Sequence, residues 1–379
     1  MIAICVIAYN RISSLRRLLQ SLDQAYYPAE EIPLVISIDK SETDEVEKFA
    51  ENFIWKHGNK KVIKHPVNLG LRKHVISCGN LLSEYEALIV LEDDIFVAKS
   101  FYYYAKACVH KYENDDMIAG ISLYNFRYDS FVGLPFYQVR TDSDVYLMQL
   151  AQSWGQVWMK RQWLEFKDWY DKNENKFNEI VGLPPYIKSW PESSWLKYHT
   201  AYCIQKNKYF IYPYDAYSTC FAEAGTHTGQ STSLHQSLLF AGDRREFRLN
   251  PTVVYDAFRE FKGFGEVLGI PEEDLCVDFY GLKDNSQGKR FWLTKKKLKY
   301  NCLHSFGLEM RPYELNVLYG IPGDMLFLYD TTNATGSTPK TVPQYFYDLY
   351  HYNRRIDILW NIREYLSKIK KFIIKKLKT

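Results

Sequence analysis

The chain is poor in the residues and patterns that would stabilise or export a small secreted protein. Its seven cysteines (Cys5, Cys78, Cys108, Cys203, Cys220, Cys276, Cys302) are scattered over 379 residues with no C-x-x-C spacing. An odd, widely spaced set argues against a disulfide framework or a zinc knuckle and fits reduced thiols. No apolar run reaches the ~18 to 20 residues needed to span a bilayer. The opening stretch Met1 to Ala8 has no basic leader and is too short for a signal peptide, so a cytoplasmic chain is expected. A surplus of one charge is also missing, because 48 Lys+Arg stand against 45 Asp+Glu, a formal +3. Phosphate neutralisation needs a strong basic excess on one face, so no nucleic-acid partner is expected. The P-loop, H-E-x-x-H and Ser-His-Asp signatures are absent, which sets aside nucleotide triphosphatase, metalloprotease and serine hydrolase readings.

What is present is a soluble composition, 46% hydrophobic and 16% aromatic, long enough for two or three domains. Residues 2 to 8, 34 to 38, 62 to 65 and 87 to 91 are short apolar runs of the kind buried as parallel strands. Between them lie helical spacings: Leu15, Leu18, Leu19 and Leu22 after a cap at Ser13, then Val46, Phe49, Ala50 and Phe53 after Thr43, then Leu71 to Leu82. This alternation predicts an α/β fold, a mostly parallel sheet flanked by helices, with ligands at the carboxyl ends of the strands. A further helix is expected over 99 to 114. Beyond Asn250, short β-like pieces such as 290 to 294 and 324 to 329 read as an appended smaller α+β region, followed by a linker near 331 to 343. The expected domains are 1–245, an accessory region 246–345 and a tail 346–379.

Four polar clusters follow the strands: Ala8-Tyr9-Asn10-Arg11, Ser37-Ile38-Asp39, Asn68-Leu69-Gly70-Leu71-Arg72 and Glu92-Asp93-Asp94. Three consecutive carboxylates after a buried strand repel one another, and a divalent cation would relieve that repulsion. Hard oxygen ligands suit Mg²⁺ or Mn²⁺, either of which would neutralise a departing nucleoside diphosphate. An acidic triplet in isolation is more often a solvated turn or a helix N-terminus, and a loop Asp is equally a cap of the next helix, so it is the position after an apolar strand that favours the site.

The order of these clusters resembles the GT-A fold, family 2-like nucleotide-sugar glycosyltransferases. The Glu92-Asp93-Asp94 form followed by 95 to 101 is similar to the N-acetylglucosaminyltransferase I group and bacterial polysaccharide glycosyltransferases. The resemblance implies a GT-A (Rossmann-like) fold in which Ala8 to Arg11 line the nucleotide pocket and Asp39 hydrogen-bonds the base. Asn68, Gly70 and Arg72 would border the diphosphate, Glu92 and Asp93 would face the ribose or sugar, and Asp94 would bind the metal. It also implies a UDP-sugar donor. Trp154-Gly155 with Trp158 and Trp163 looks similar to the acceptor-side aromatic segment of this group, although a core helix is an equal reading. Trp190-Pro191-Glu192-Ser193-Ser194-Trp195 occupies the place of a Trp-Asp-Asp-Trp motif, which makes Glu192 the expected catalytic base with Glu223 and Asp215 in reserve. The glycine-bearing loop 224 to 229 resembles one that ends in a His near the metal, so His227 is a further expected ligand.

These readings converge on a metal-dependent, inverting glycosyltransferase. The expected acceptor is a glycan or lipid-linked glycan of cell-surface polysaccharide or lipopolysaccharide synthesis. A sugar nucleotidylyltransferase is the alternative enzyme, disfavoured because residues 8 to 11 lack glycine. A non-catalytic glycan-binding module is the other alternative, and it leaves the acidic triplet unexplained. Positions 354–379 hold nine Lys or Arg and two acids, with Ile362, Leu366, Ile369, Ile373 and Leu377 at spacings of three and four. This basic amphipathic pattern suggests peripheral contact with an anionic inner membrane face, or a helix packed on the core.

Overall fold

The computed structural model describes residues 1–129, 132–223, 233–338 and Leu366. The described residues form two compact units, one from Met1–Glu272 with Arg311–Leu315 and one from Glu273–Met310 with 316–338. The apolar runs of the first unit form strands and the amphipathic segments form helices, in the order β1 (Ile2–Ala8), α1 (Ile12–Asp23), β2 (Leu34–Ile38), α2 (Glu45–Asn52), β3 (Lys60–Lys64), α3 (Leu71–Cys78), β4 (Ala87–Glu92), β5 (Ile95–Val97), α4 (Phe101–Tyr112) and β6 (Ile118–Ser122). Then follow β7 (Tyr128–Asp129), β8 (Leu134–Pro135), β9 (Val145–Met148), β10 (Gln156–Met159), α5 (Lys160–Asn173), α6 (Pro185–Lys188), α7 (Leu196–Gln205), β11 (Tyr209–Pro213), β12 (Ser218–Cys220), β13 (Val254–Tyr255), β14 (Phe261–Lys262) and α8 (Gly265–Leu268).

All seven residues of β1 are buried, as expected for a strand covered on both faces. Its even-numbered residues Ile2, Ile4, Val6 and Ala8 join one core with Leu18 of α1, Ala50 of α2 and Phe101 of α4. From the odd-numbered face, Cys5 meets Cys78 of α3. The period of two thus distributes the helices between the two faces. β1 pairs in parallel with β2, Ala8 opposite Ile38, and with β4, Ile7 opposite Glu92. This register sets the ends of three strands side by side, and with them the residues that follow.

Beyond β4 the sheet departs from the mostly parallel expectation. Its order is β14-β13-β9-β11-β6-β10-β4-β1-β2-β3, and β10 runs antiparallel to both β4 and β6. Strands of four residues buried on both faces carry no sequence signal of direction. The same sheet takes in β13, whose Val254 pairs with Leu147 of β9, and β14. The first unit therefore runs past residue 245 to Glu272, because this Gly- and Pro-punctuated segment finds its pairing partners on the large sheet.

The second unit contains β15 (Leu275–Asp278), β16 (Phe291–Thr294), β17 (Tyr300–Phe306) and β18 (Leu326–Ala334), in the sheet order β15-β16-β18-β17. A last short helix, α9, spans Glu314–Leu318. β18 takes up Thr331 to Ala334, the start of the expected linker, because Tyr300 pairs with Ala334. The tail positions 354–379 lie outside the described residues apart from Leu366. The seven cysteines are reduced thiols, six of them buried. No helix among the described residues is long and apolar enough to cross a membrane.

One buried group makes the fold acid-sensitive. His199 of α7 is 1% exposed, stacks on Phe166 of α5 at 4.1 Å and abuts Phe210 of β11. Neither ring nitrogen has a hydrogen-bond partner among the described residues, and burial drives the imidazole pKa down to about 3. The unfolded chain takes up this proton near pH 6.5 and the folded chain does not, so stability present above that pH is lost as pH falls. The loss attributable to His199 is about 2 kcal/mol at pH 5. His199→Phe should shrink the drop in melting temperature between pH 7.5 and pH 5.0. An unchanged drop would remove His199 as its source.

Candidate functional site

A cavity of about 590 Å³ opens at the carboxyl ends of β1, β2 and β4. Its walls include Ala8, Tyr9, Asn10 and Arg11 after β1, Asp39 after β2, and Glu92, Asp93 and Asp94 at and after β4. A second hollow, about 870 Å³ and shallow, lies beside Pro28, Lys56 and Tyr103 near the starts of β2 and β3. Of its charged groups, Lys56 pairs with Asp23, Glu30 with Lys106 and Arg245 with Asp243. Convergent, strained charge marks the first cavity as the site.

Strand β4 ends on Glu92, and the chain turns at once into β5, so the three acids share one tight turn. Burial, reinforced by Asp94 and Asp93, pushes the Glu92 carboxyl up to about 8, while a hydrogen bond with Trp195 opposes the rise. Burial likewise lifts Asp93 to about 6, with Arg11 opposing and Asp94 adding to it. Arg11 relieves part of this repulsion. Its Nη1 donates to Asp94 Oδ2 at 3.0 Å and its Nη2 to Asp93 Oδ1.

Asp39 lines the cavity, but its carboxylate braces the neighbouring turn. Oδ1 accepts from the Lys40 and Leu69 amides at 2.9 and 2.8 Å, and Oδ2 accepts from the Gly70 amide at 3.0 Å. Asn68 closes the same link by donating to the Lys40 carbonyl at 2.9 Å. Gly70, at φ 74°, allows the left-handed turn that opens α3. Asp39 is therefore both a wall of the cavity and the anchor that holds Asn68 and Gly70 in it.

The far wall comes from segments distant in sequence. β12 pairs antiparallel with β5, Cys220 opposite Ile95, which carries Cys220, Phe221 and Glu223 to the acidic turn. Glu223 Oε2 accepts from Arg17 Nη2 at 2.5 Å and from Ser14 Oγ at 3.3 Å, and the Arg17 bond leads in lowering its pKa. Trp154, Trp190, Trp195 and His235 add an aromatic surface. Trp154 packs at 5.2 Å from the His235 ring. Gly155 beside it has φ 96°, and a Cβ there would sit 2.7 Å from Ser218 Oγ, so only glycine keeps Trp154 in this place.

Several expected residues fall elsewhere. Glu192 has a side chain 79% exposed, outside the cavity walls, paired with Lys197 at 3.2 Å and Arg72 at 3.8 Å. Arg72 donates to the Tyr198 hydroxyl at 2.6 Å and also stands outside those walls. Asp215 is held by Arg244 at 3.1 Å, away from the cavity. Trp158 and Trp163 stack on each other at 3.9 Å in the core, so of that aromatic segment Trp154 alone reaches the cavity. His227 lies outside the described residues. Phe221 and His235 carried no sequence signal, because strand pairing and not local pattern brings them in. Trp195 could have been singled out from its own segment, where attention went to Glu192.

Among the described residues no group of three or more His, Cys, Asp or Glu is arranged to hold a metal by itself. The site fits the other common mode, in which one or two carboxylates bind Mg²⁺ or Mn²⁺ and diphosphate oxygens complete the shell. Burial leads in raising the Glu92 and Asp93 carboxyls and repulsion from Asp94 adds to it, so a bound cation would offset both.

Residues 3–144 match the family model described as Glycosyl transferase family 2. No curated protein matches the chain. Among solved structures, S. aureus TarS 1-349 is similar at 18% identity and a TM-score of 0.36, over 57% of this chain and 59% of that one. S. aureus TarS 1-349 in complex with UDP-GlcNAc is similar at 16% identity and a TM-score of 0.38, over 61% of each chain. GalNAc-T7 with UDP, GalNAc and Mn²⁺ is similar at 16% identity and a TM-score of 0.39, over 56% of this chain and 42% of that one. The chain thus spans about three-fifths of the TarS 1-349 structures it resembles.

Proposed function

We propose, from the match of residues 3–144 to the glycosyl transferase family 2 model, that the protein moves a sugar from a nucleotide sugar to an acceptor hydroxyl with inversion. The observation that carries this reading is the placement of Glu92, Asp93, Asp94 and Arg11 in one cavity at the carboxyl ends of parallel strands. Tyr9, Asn10 and Asn68 line the side available to the nucleotide. The amino end of α1 starts at Ile12 with no side-chain cap and gives amide donors suited to a phosphate group. Asp94, with Asp93, would hold Mn²⁺ or Mg²⁺, which neutralises charge on the departing diphosphate when bound.

The acceptor hydroxyl attacks the anomeric carbon while the bond from that carbon to the diphosphate oxygen breaks, and a carboxylate takes the hydroxyl proton. Glu223 is the carboxylate we assign to this task, because it lines the cavity from the wall built by late segments and is not one of the three acids of the turn. Trp154 and Trp190 give flat faces for sugar rings. A screen of nucleotide sugars for Mn²⁺-dependent diphosphate release, starting with UDP-sugars, tests the reading. No release and no thermal stabilisation by any donor would overturn it.

The acceptor in this proposal is a glycan or lipid-linked glycan of cell-surface polysaccharide or lipopolysaccharide synthesis, met at an anionic membrane face. The basic pattern at 354–379 supports that placement. Protein truncated after Asn353 should lose flotation with anionic vesicles, and equal flotation would remove the tail as the contact.

A further inference from the structure

Arg11 is bound where a metal would need to bind. Its guanidinium spans two acids of the turn, donating to Asp94 Oδ2 at 3.0 Å and to Asp93 Oδ1. Among the described residues it is the cation paired with this turn, since Arg17 is engaged by Glu223. The Asp93 side chain is 5% exposed, whereas Asp94 and Arg11 are each about 30% exposed. The inner end of the bridge is therefore dry and the outer end open. The Arg11 backbone is fixed, because its carbonyl accepts from the Leu15 amide at 3.0 Å at the start of α1. Its side chain has a flexible stem and space on the cavity side.

We infer that Arg11 is a resident counter-ion that a divalent cation must displace from Asp93 and Asp94, and that the donor's diphosphate receives the displaced guanidinium. The inference rests on the transferase reading only for where Arg11 goes. Two cations cannot share these oxygens without close like-charge contact, since a divalent ion sits about 2.0 to 2.1 Å from its oxygens and a guanidinium nitrogen about 2.7 to 2.9 Å. A diphosphate offers the planar guanidinium a second bidentate partner. Metal alone must break the bridge without replacement, whereas metal arriving with a nucleoside diphosphate lets Arg11 exchange one anion for another. The two ligands should then favour each other, by the same factor in either order of addition.

The test is Mn²⁺ binding followed by loss of the free-ion paramagnetic signal, with and without UDP. Wild-type protein should bind Mn²⁺ about tenfold or more tightly when UDP is present, a factor that matches the loss of one charge-assisted bond. Arg11→Gln should bind Mn²⁺ about tenfold more tightly than wild type in the absence of UDP, and the gain from UDP should be about tenfold smaller than in wild type, leaving the part due to diphosphate oxygens on the ion. Its melting temperature should fall without the ion and recover with it. Arg11→Lys guards against a misfolded Gln variant, because a compact ammonium keeps the charge but lacks the planar fork that fits the two carboxylates, and should give an intermediate gain in Mn²⁺ affinity. Variants that fold and bind Mn²⁺ no more tightly than wild type overturn the inference. A gain in Mn²⁺ affinity in a protein that turns over no nucleotide sugar upholds the exchange and removes the transferase reading. Turnover of a donor with unaltered Mn²⁺ affinity in the variants does the reverse.

Discussion

Asp94→Asn is expected to lower donor turnover by roughly a thousandfold while leaving the fold intact. Asn keeps the shape of the side chain and removes the charge, so the effect isolates electrostatics from packing. Loss of one well-placed charge-stabilising group costs on the order of 10²- to 10³-fold in rate, and loss of a metal carboxylate adds to that. Stability should change little, because the Asp94 side chain is 29% exposed and Arg11 keeps its bond to Asp93. A chelator should remove wild-type turnover to a similar degree and have little further effect on the variant. Full turnover in Asp94→Asn would eliminate the metal role of this residue. A glycan-binding module would instead keep its glycan affinity in the variant and show no turnover at all.

The second large effect separates two glutamates. Glu223→Gln should lose about 10²- to 10⁴-fold in kcat, the usual contribution of a general base, with little change in the KM for the donor. Glu192→Gln should stay within about threefold of wild type, because its side chain is 79% exposed and stands outside the cavity. Arg17 holds the Glu223 carboxyl below its ordinary range, so the base form persists to lower pH than in a free glutamate and its acid limb should lie on that side. A large loss in Glu192→Gln with none in Glu223→Gln would return the base assignment to the Trp190 to Trp195 segment.

These two expectations mark where local sequence stops being informative. The acidic turn was legible because it follows a run of five apolar residues, and the strand-helix alternation fixed which end of the sheet to inspect. Arg11, Asp39 and Asn68 were legible for the same reason, as residues that follow strands. Asp39 was readable as a residue of the site or as a cap of the next helix, and the structure has it do something else, lining the cavity while its two oxygens brace the amides of 40, 69 and 70. Trp158 and Trp163 fell on the core reading, since aromatic side chains on the buried faces of a strand and a helix pack with one another before they meet a ligand.

The sequence by itself determined the α/β class, the parallel half of the sheet and the four clusters at its carboxyl edge. Those features arise from burial and periodicity, which act on neighbours along the chain. Only the tertiary structure decided that β10 enters antiparallel, that residues 254 to 262 join the large sheet, and that Glu223 and not Glu192 reaches the cavity. It also decided that Arg11 bridges Asp93 and Asp94, residues more than eighty positions away. Such contacts depend on strand register and chain return, and no local spacing of residues encodes them.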